Sequence, residues 1–299
     1  MPLKKAYLLP RSPLLIPEIG KANNIFLQKT LLAYEQAKNS FITENIETVI
    51  VISLHSHIQE NFFLINCAPE MEISFQDFGF IPPKTIIKGD IPLADSLKNY
   101  LKNDFPIKSS LEMQLDYGSS IPLYLIKNPE QTFKTVVIAP ADKLELKEHL
   151  ALGKKIGGLL KDNPRPTALI IAGDLSHRLK RKSPGGYSPR GPKFDNKIIE
   201  YLSEPETAIA NLLKMDKRLI LDASECVLKP LMVGLGILEN YYYEPDILAY
   251  QTDFGVGYLS LEFILKNEAR VEAKADAEKE ETKLSKQKLN FNPIPLKEL

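Results

Sequence analysis

Cysteine is scarce in this sequence, with only two such residues, Cys67 and Cys226, among 299. They lie far apart, and neither belongs to a pair with metal-ligand spacing. This scarcity argues against a disulfide framework and against a structural zinc module. We therefore expect the protein to be cytoplasmic, where thiols stay reduced.

The sequence also lacks net charge, because 38 lysine and arginine residues balance 38 aspartate and glutamate residues. Such a balance provides no field that would attract nucleic acid or an anionic membrane surface. Long hydrophobic runs are missing as well. Pro10, Pro13 and Pro17 interrupt the first apolar segment, so we expect neither a signal peptide nor a membrane-spanning helix. We predict no nucleic-acid partner and no membrane association.

A hydrophobic fraction of 44% is enough for one full-sized core. Apolar runs typical of buried strands alternate with segments of helical spacing. The predicted strands are 6–9, 47–53, 62–65, 135–139, 167–172, 247–250 and 257–263, and the predicted helices are 21–45, 91–101, 121–126, 143–160, 195–202, 204–213 and 222–238. This alternation predicts an α/β fold in which residues 1–265 form a single three-layer domain, with a mixed, largely parallel central sheet between helices.

The composition changes after residue 265. Residues 267–288 are rich in Ala, Glu and Lys and have almost no large apolar side chain, so they cannot bury a face. We predict a charged helical or disordered C-terminal tail over 266–299. Its last apolar segment, 291–296, is suited to contact a protein partner, although a plain tail is the simpler interpretation.

The strongest local pattern is a buried strand that ends in Gly-Asp-Leu-Ser-His at 173–177, followed by a Gly- and Pro-rich loop over 183–195. Ligands of open α/β sheets bind beyond the carboxyl ends of the strands, so His177 is well placed for chemistry. His55 ends a second predicted strand, and Glu225 lies on the predicted helix 222–238. A lone histidine at a strand end also has a simpler interpretation, in which it only packs the strand end.

Four segments together resemble a known family. They are Leu-Pro-Arg-Ser-Pro at 9–13, Ser-Leu-His-Ser at 53–56, Gly-Asp-Leu-Ser-His at 173–177 and Phe-Gly-Val-Gly-Tyr at 254–258. They resemble the LigB-like domain of class III extradiol ring-cleaving dioxygenases, and in particular Memo-like proteins and AmmeMemoRadiSam system proteins. The resemblance runs from about residue 3 to residue 263. It implies an oxidoreductase fold whose pocket, at one end of the sheet, holds non-heme ferrous iron and an aromatic substrate.

The resemblance assigns roles to particular residues. It implies that His55 and Glu225 bind the metal and that His177 transfers protons. Arg11 stands where the family has its first metal histidine. Tyr117 replaces a further pocket histidine, and its phenol can still donate a hydrogen bond to a substrate oxygen.

Arg11 weakens the expectation of iron. A guanidinium group stays protonated and has no lone pair to offer, so Arg11 cannot bind a cation and would repel one. We expect a weak or absent iron site, and we hypothesise that Arg11 pairs with Glu225 in place of the metal. His57, two residues beyond His55, is either a substitute ligand or a polar loop residue.

Two further side chains have simple interpretations. We expect His149, on the polar face of the predicted helix 143–160, to lie at the surface. Cys226 follows Glu225 on a predicted helix and is rotated by about 100° from it, so we expect it to fill the core.

Three hypotheses about function stay open. In the first, ring cleavage is altered or lost, and the pocket binds a phenolic or aromatic small molecule or a protein. In the second, the protein is an active Fe(II)-dependent dioxygenase that acts on a catechol-like substrate. In the third, a metal-free enzyme uses His177 with Asp174 or Glu225 as acid-base partners. Arg11 favours the first, and a homo-oligomer is compatible with all three.

Overall fold

The computed structural model describes residues 2–54, 61–128 and 131–266. The strands are β1 (Leu3–Leu9), β2 (Thr48–Ser53), β3 (Phe63–Asn66), β4 (Glu70–Glu72), β5 (Ile86–Gly89), β6 (Ile107–Ser110), β7 (Lys134–Ala139), β8 (Thr167–Ala172), β9 (Tyr242–Gln251) and β10 (Tyr258–Lys266). The helices are α1 (Pro17–Gly20), α2 (Gln28–Thr43), α3 (Ile91–Leu101), α4 (Tyr117–Ile126), α5 (Leu146–Lys161), α6 (Arg190–Leu202), α7 (Pro205–Leu213), α8 (Lys217–Ala223) and α9 (Leu228–Leu238). Within these ranges no helix is both long and apolar enough to cross a membrane. Nearly all of the predicted tail lies outside them, so the tail stays a prediction.

One mixed sheet runs through the molecule in the order β4-β5-β7-β2-β8-β1-β10-β9. Its centre is parallel, because β2 pairs with both β7 and β8 in parallel, and β8 pairs with β1 in parallel. β10 is antiparallel to β1, and β3 joins β7 antiparallel while it pairs with β6 in parallel. The prediction of a mixed, largely parallel sheet is confirmed.

The central strands are apolar on both faces because helices cover both faces. All six residues of β2 are buried, and so are all six of β8. Successive side chains of a strand point to opposite faces. Accordingly, Ile50 and Ile52 belong to one core cluster, and Val49 and Val51 belong to the other. The predicted three-layer architecture is confirmed.

Helices α5 and α9 pack unusually close together at glycines. A Cβ atom added to Gly153 would overlap the carbonyl oxygen of Val233 and lie 2.9 Å from the Cα atom of Gly236. A Cβ atom added to Gly236 would overlap the carbonyl oxygen of Leu150. Only glycine allows two helix backbones to approach in this way, so these positions set the distance between the helices.

The predicted continuous helix 222–238 is wrong over residues 224–227. Helix α8 ends at Ala223, because Ser224 adopts a left-handed conformation with φ of 52°. Helix α9 begins only at Leu228, so Glu225 and Cys226 lie in the connection between the two helices. Since the two residues are not helical, the argument that they are separated by 100° around a helix does not apply.

The prediction that His149 lies at the surface is also wrong, because its side chain is fully buried on α5. Its two ring nitrogens lie 2.8 Å and 2.9 Å from the carbonyl oxygens of Glu145 and Ala141. The ring also meets Phe63 edge-on, with the ring centroids 5.0 Å apart. Burial lowers the pKa of His149, so the neutral ring is favoured.

Candidate functional site

The carboxyl ends of the central parallel strands bring the first site residues together. Leu9 of β1 and Ser53 of β2 both lie level with Ala172 of β8. Arg11 and Asp174 each follow two residues beyond this level. The backbone N–H of Arg11 donates to Oδ1 of Asp174 over 2.9 Å, so the two strand ends are joined directly.

The side chain of Arg11 is 8% exposed. Its Nη1 donates to the carbonyl oxygen of Leu54 over 3.0 Å, and the guanidinium carbon lies 5.2 Å from the centre of the Tyr117 ring. Burial by itself lowers the pKa of Arg11, but the neighbouring Cys226, Tyr117 and Asp174 raise it, and the net pKa is above its ordinary value. A permanent positive charge therefore lies at this end of the sheet.

The start of α4 is shaped to admit this guanidinium. Asp116 accepts a hydrogen bond from the backbone N–H of Ser119 over 2.9 Å and so caps the helix. Gly118 follows in the first turn, and a Cβ atom at this position would overlap Nη1 of Arg11. The absence of a side chain at residue 118 is thus what leaves room for Arg11 beside Tyr117.

Asp174, His177 and Cys226 form a compact group next to Arg11. Each offers one potential ligand atom, and these atoms all lie within 4.8 Å of one another. Nε2 of His177 is 4.0 Å from Oδ2 of Asp174, and Sγ of Cys226 accepts from the backbone N–H of Asp174 over 3.3 Å. The predicted site residues Arg11, Tyr117, Asp174 and His177 therefore do lie together.

Burial has the largest effect on the pKa values of Cys226 and Asp174. It raises the pKa of Cys226 to about 11, although the charge of Arg11 opposes the shift. Burial also raises the pKa of Asp174, against the pull of His177 and Arg11. The thiol of Cys226 is thus protonated at neutral pH.

The hydrogen bonds of Glu225 do not involve Arg11. Its Oε2 accepts hydrogen bonds from the backbone N–H groups of Val227 (2.6 Å) and Leu228 (2.7 Å), at the beginning of α9. No ion pair within 4.0 Å joins Glu225 to Arg11, although both are described residues. The hypothesis that Arg11 forms a charge-assisted hydrogen bond with Glu225 is therefore wrong, although the charge of Arg11 still acts to lower the pKa of Glu225. The helix N-terminus binds Oε2 of this carboxylate instead.

His55 and His57 lie outside the described residues, so their metal-binding roles stay predictions. The neighbouring Leu54 is described, and its carbonyl oxygen already contacts Arg11.

The sequence interpretation missed two residues. Cys226 was expected in the core but lies within the site group. Asp195, on α6, is fully buried. Its Oδ1 accepts a hydrogen bond from the backbone N–H of Ser176, and its Oδ2 accepts one from the hydroxyl of Tyr250, both over 2.8 Å. Asp195 thereby fixes the segment that carries His177. The only available signal was a charged residue on an otherwise apolar helix face.

The burial of Asp195 leads us to predict how the stability of the fold depends on pH. Burial raises its pKa from 3.8 to about 7, although the bonds from Ser176 and Tyr250 lower it. The folded protein therefore binds more protons than the unfolded chain between these values, and stability falls as the pH rises through this window. Asp195→Asn removes this dependence, so its stability relative to wild type should improve by about 1.4 kcal/mol per pH unit.

Urea denaturation of both proteins at several pH values from about 4.5 to about 7 measures this difference. Asp162→Asn, at an exposed position, is the control and should leave the pH profile unchanged. A constant difference between Asp195→Asn and wild type across the window would contradict the shifted pKa.

The family described as the catalytic LigB subunit of aromatic ring-opening dioxygenase matches residues 5–259. The chain belongs to this family. Members of the LigB family usually bind Fe(II). The match spans all the central strands and every described site residue.

The chain is also similar to two further proteins. Protein CA_C1420 of Clostridium acetobutylicum is 27% identical over 268 residues, which cover 86% of this chain and 57% of that protein. The chain thus spans little more than half the length of this relative. The crystal structure of an uncharacterized protein, JW3007, from Escherichia coli K12 superimposes with a TM-score of 0.59 at 17% identity, over 87% of this chain and 99% of that one. The likeness to the second protein shows the fold alone.

Proposed function

We propose that this LigB-family protein binds a phenolic or aromatic small molecule, or a protein, and has altered or lost the ring-cleaving activity. The observation that carries the proposal is the buried guanidinium of Arg11 at the carboxyl end of β1, where the resemblance expects a metal histidine. The guanidinium carries a positive charge and has no lone pair, whereas a histidine at this position would offer a nitrogen lone pair.

The described residues do not fit a ferrous ion bound in the manner of the family. Arg11 would repel the ion, and its charge is held among Leu54, Tyr117 and Asp174. Glu225, the expected carboxylate ligand, has its Oε2 bound to the beginning of α9, which leaves only Oε1 for a metal. Both departures would lower the affinity for iron, so we derive no catalytic step that uses it.

The same residues suit an anionic oxygen. Nε of Arg11 is buried and has no hydrogen-bond partner among the described residues, and neither does Nδ1 of His177. Buried donors without a partner are rare and commonly mark a ligand position. In the proposed complex a phenolate or carboxylate oxygen accepts from Arg11, while Tyr117 donates a further hydrogen bond and His177 exchanges a proton with the ligand.

A second candidate is an active ferrous-iron-dependent dioxygenase with a changed set of ligands. The observation in its favour is the close grouping of one oxygen, one nitrogen and one sulfur atom from Asp174, His177 and Cys226. Against it, the thiol of Cys226 is protonated at neutral pH, and the Arg11 cation lies beside it. A metal-free enzyme in which His177 works with Asp174 is the third candidate, and their 4.0 Å separation favours it over a pairing with Glu225.

A metal inventory of the purified protein tests the main proposal. After anaerobic reconstitution with ferrous iron and removal of the excess, we expect mass spectrometry to find far less than about one iron per chain. Oxygen uptake with catechol should be absent, while calorimetry should detect binding of catechol itself. Stoichiometric iron together with catechol turnover would refute the proposal.

Three further properties remain proposals: the location of the protein, its oligomeric state and a protein partner. A cytoplasmic location agrees with the two free cysteines. A homo-oligomer and a protein partner that contacts the tail are compatible with the sequence, and sedimentation analysis of the full chain and of a chain ending at residue 266 would test both.

A further inference from the structure

A cavity of about 480 Å³ lies beside Glu225. It is surrounded by the segment after β7, the beginning of α5, the end of α7, helix α8 and the beginning of α9. Its apolar walls are formed by Leu144, Leu146, Leu213, Met215, Ile220 and Leu228. Cavities of this size hold small organic ligands in other proteins. The cavity is not lined by Arg11, Tyr117, Asp174, His177 or Cys226.

Most of the charged side chains around this cavity either have an ion-pair partner or are exposed to solvent. At its rim, Glu145 and Lys147 pair with each other over 3.2 Å, and both are more than half exposed. Lys229 is paired with Asp142. Lys217 is exposed. Glu225 is therefore the one lining carboxylate that forms no salt bridge with a described residue.

One oxygen atom of Glu225 is still available. Both hydrogen bonds from the beginning of α9 go to Oε2. No described group donates to Oε1, although a carboxylate oxygen accepts up to two hydrogen bonds. A carboxylate that is bound on one side only and lies among apolar walls is suited to a ligand that brings its own donor.

We propose that this cavity binds an amphipathic amine, whose ammonium group donates to Oε1 of Glu225 and whose apolar body packs against Leu144, Ile220 and Leu228. The inference rests on the proposed function in one respect, namely that no metal ion occupies Glu225. An ammonium group supplies the donors that Oε1 lacks and a charge opposite to that of Glu225. Burial raises the pKa of Glu225, and the charges of Lys229 and Arg11 oppose this shift. A carboxylate has no donor for Oε1 and carries the same charge as Glu225. An alcohol would satisfy the hydrogen bond without the charge.

Three probes with the same apolar body separate these cases: 4-phenylbutylamine, 4-phenylbutyrate and 4-phenylbutanol. Calorimetry is run on full-length protein that metal analysis has shown to be free of metal. We expect the amine to bind at least about ten-fold more tightly than the alcohol or the carboxylate, because only the amine forms a charge-assisted hydrogen bond. An equal or tighter affinity for the carboxylate, or no binding of the amine, would overturn the inference.

Variants then identify the residue responsible. Glu225→Gln keeps an oxygen that can bind the beginning of α9, but it should reduce the affinity for the amine about ten-fold and bring it near that of the alcohol. Glu145→Gln is the matched control on the same cavity and should change the affinity less than about two-fold, because this side chain is exposed and screened. Retained amine affinity in Glu225→Gln would contradict the proposal.

Ile220→Trp tests the cavity without altering a charge. The larger side chain should fill the cavity and weaken the binding of the amine and the alcohol together. If Glu225→Gln does not fold, the relative affinities of the three probes for the wild-type protein and the effect of Ile220→Trp still test the proposal. Absence of amine binding to metal-free protein refutes this inference alone, whereas stoichiometric iron with catechol turnover refutes the proposed function.

Discussion

Arg11→His is expected to convert a chain that holds little iron into one that binds about one ferrous ion per molecule. The substitution removes the buried cation and supplies a nitrogen lone pair at the end of β1. His55, in its predicted role, and Glu225 would complete a set of two histidines and one carboxylate. Glu225 would join this set through Oε1, because Oε2 already accepts two hydrogen bonds from the beginning of α9.

Iron content, and oxygen uptake with catechol under the same conditions, measure the outcome. Arg218→His is the matched control, because Arg218 is exposed on α8 and the same change there should leave the iron content at the wild-type level. Wild-type protein that already binds iron and opens catechol would show that Arg11 does not block the site. Iron binding by Arg11→His without turnover would support a lost metal site and place the defect in catalysis elsewhere, for example at Tyr117.

Gly153→Ala is expected to destabilise the fold by about 3 kcal/mol. The new methyl group would overlap the carbonyl oxygen of Val233, and because that atom belongs to the backbone of α9, no side-chain rotation relieves the overlap. Helices α5 and α9 would have to separate, which would open the packing along the face where they cover the sheet.

Gly158→Ala provides the control on the same helix. A Cβ atom at Gly158 meets nothing within 4 Å, so this change should instead stabilise α5 by roughly 0.5–1 kcal/mol through helix propensity. Urea denaturation of both variants tests the opposite signs. Equal effects of the two substitutions would mean that the helices adjust freely and that their glycines do not set the spacing.

The fold was predictable from the sequence because its central strands are buried on both faces. Such strands are continuous apolar runs, and the prediction for residues 167–172 matches the strand in the structure. Helix α3 over Ile91–Leu101 was equally predictable, since its proline lies in the first turn and its apolar residues have helical spacing. Residues 61–90 were predicted as short strands and loops, but the bounds of β4 and β5 were not predicted, and β6 was missed, because three or four residues carry too little periodicity.

The positions of Glu225 and Cys226 were less predictable. The segment from 222 to 238 has apolar residues at helical spacing throughout, so the pattern favours one continuous helix. The break depends on the left-handed conformation of Ser224 and on the hydrogen bonds of Glu225 to the beginning of α9. Neither feature produces a proline or glycine signal, and together they bring Cys226 against Asp174.

The sequence by itself determined the α/β class, the strands that end at the site and the presence of Arg11 at a position where the resemblance implies a histidine. Strand burial and residue chemistry are local properties, and they are present in the order of the residues. Only the tertiary structure decided what each site residue contacts. Arg11 fits beside Tyr117 because Gly118 leaves room for it, and Glu225 faces a separate cavity because the beginning of α9 binds its carboxylate. The contact of Arg11 with Gly118 joins residues more than one hundred positions apart, and its distance follows from packing that no local pattern specifies.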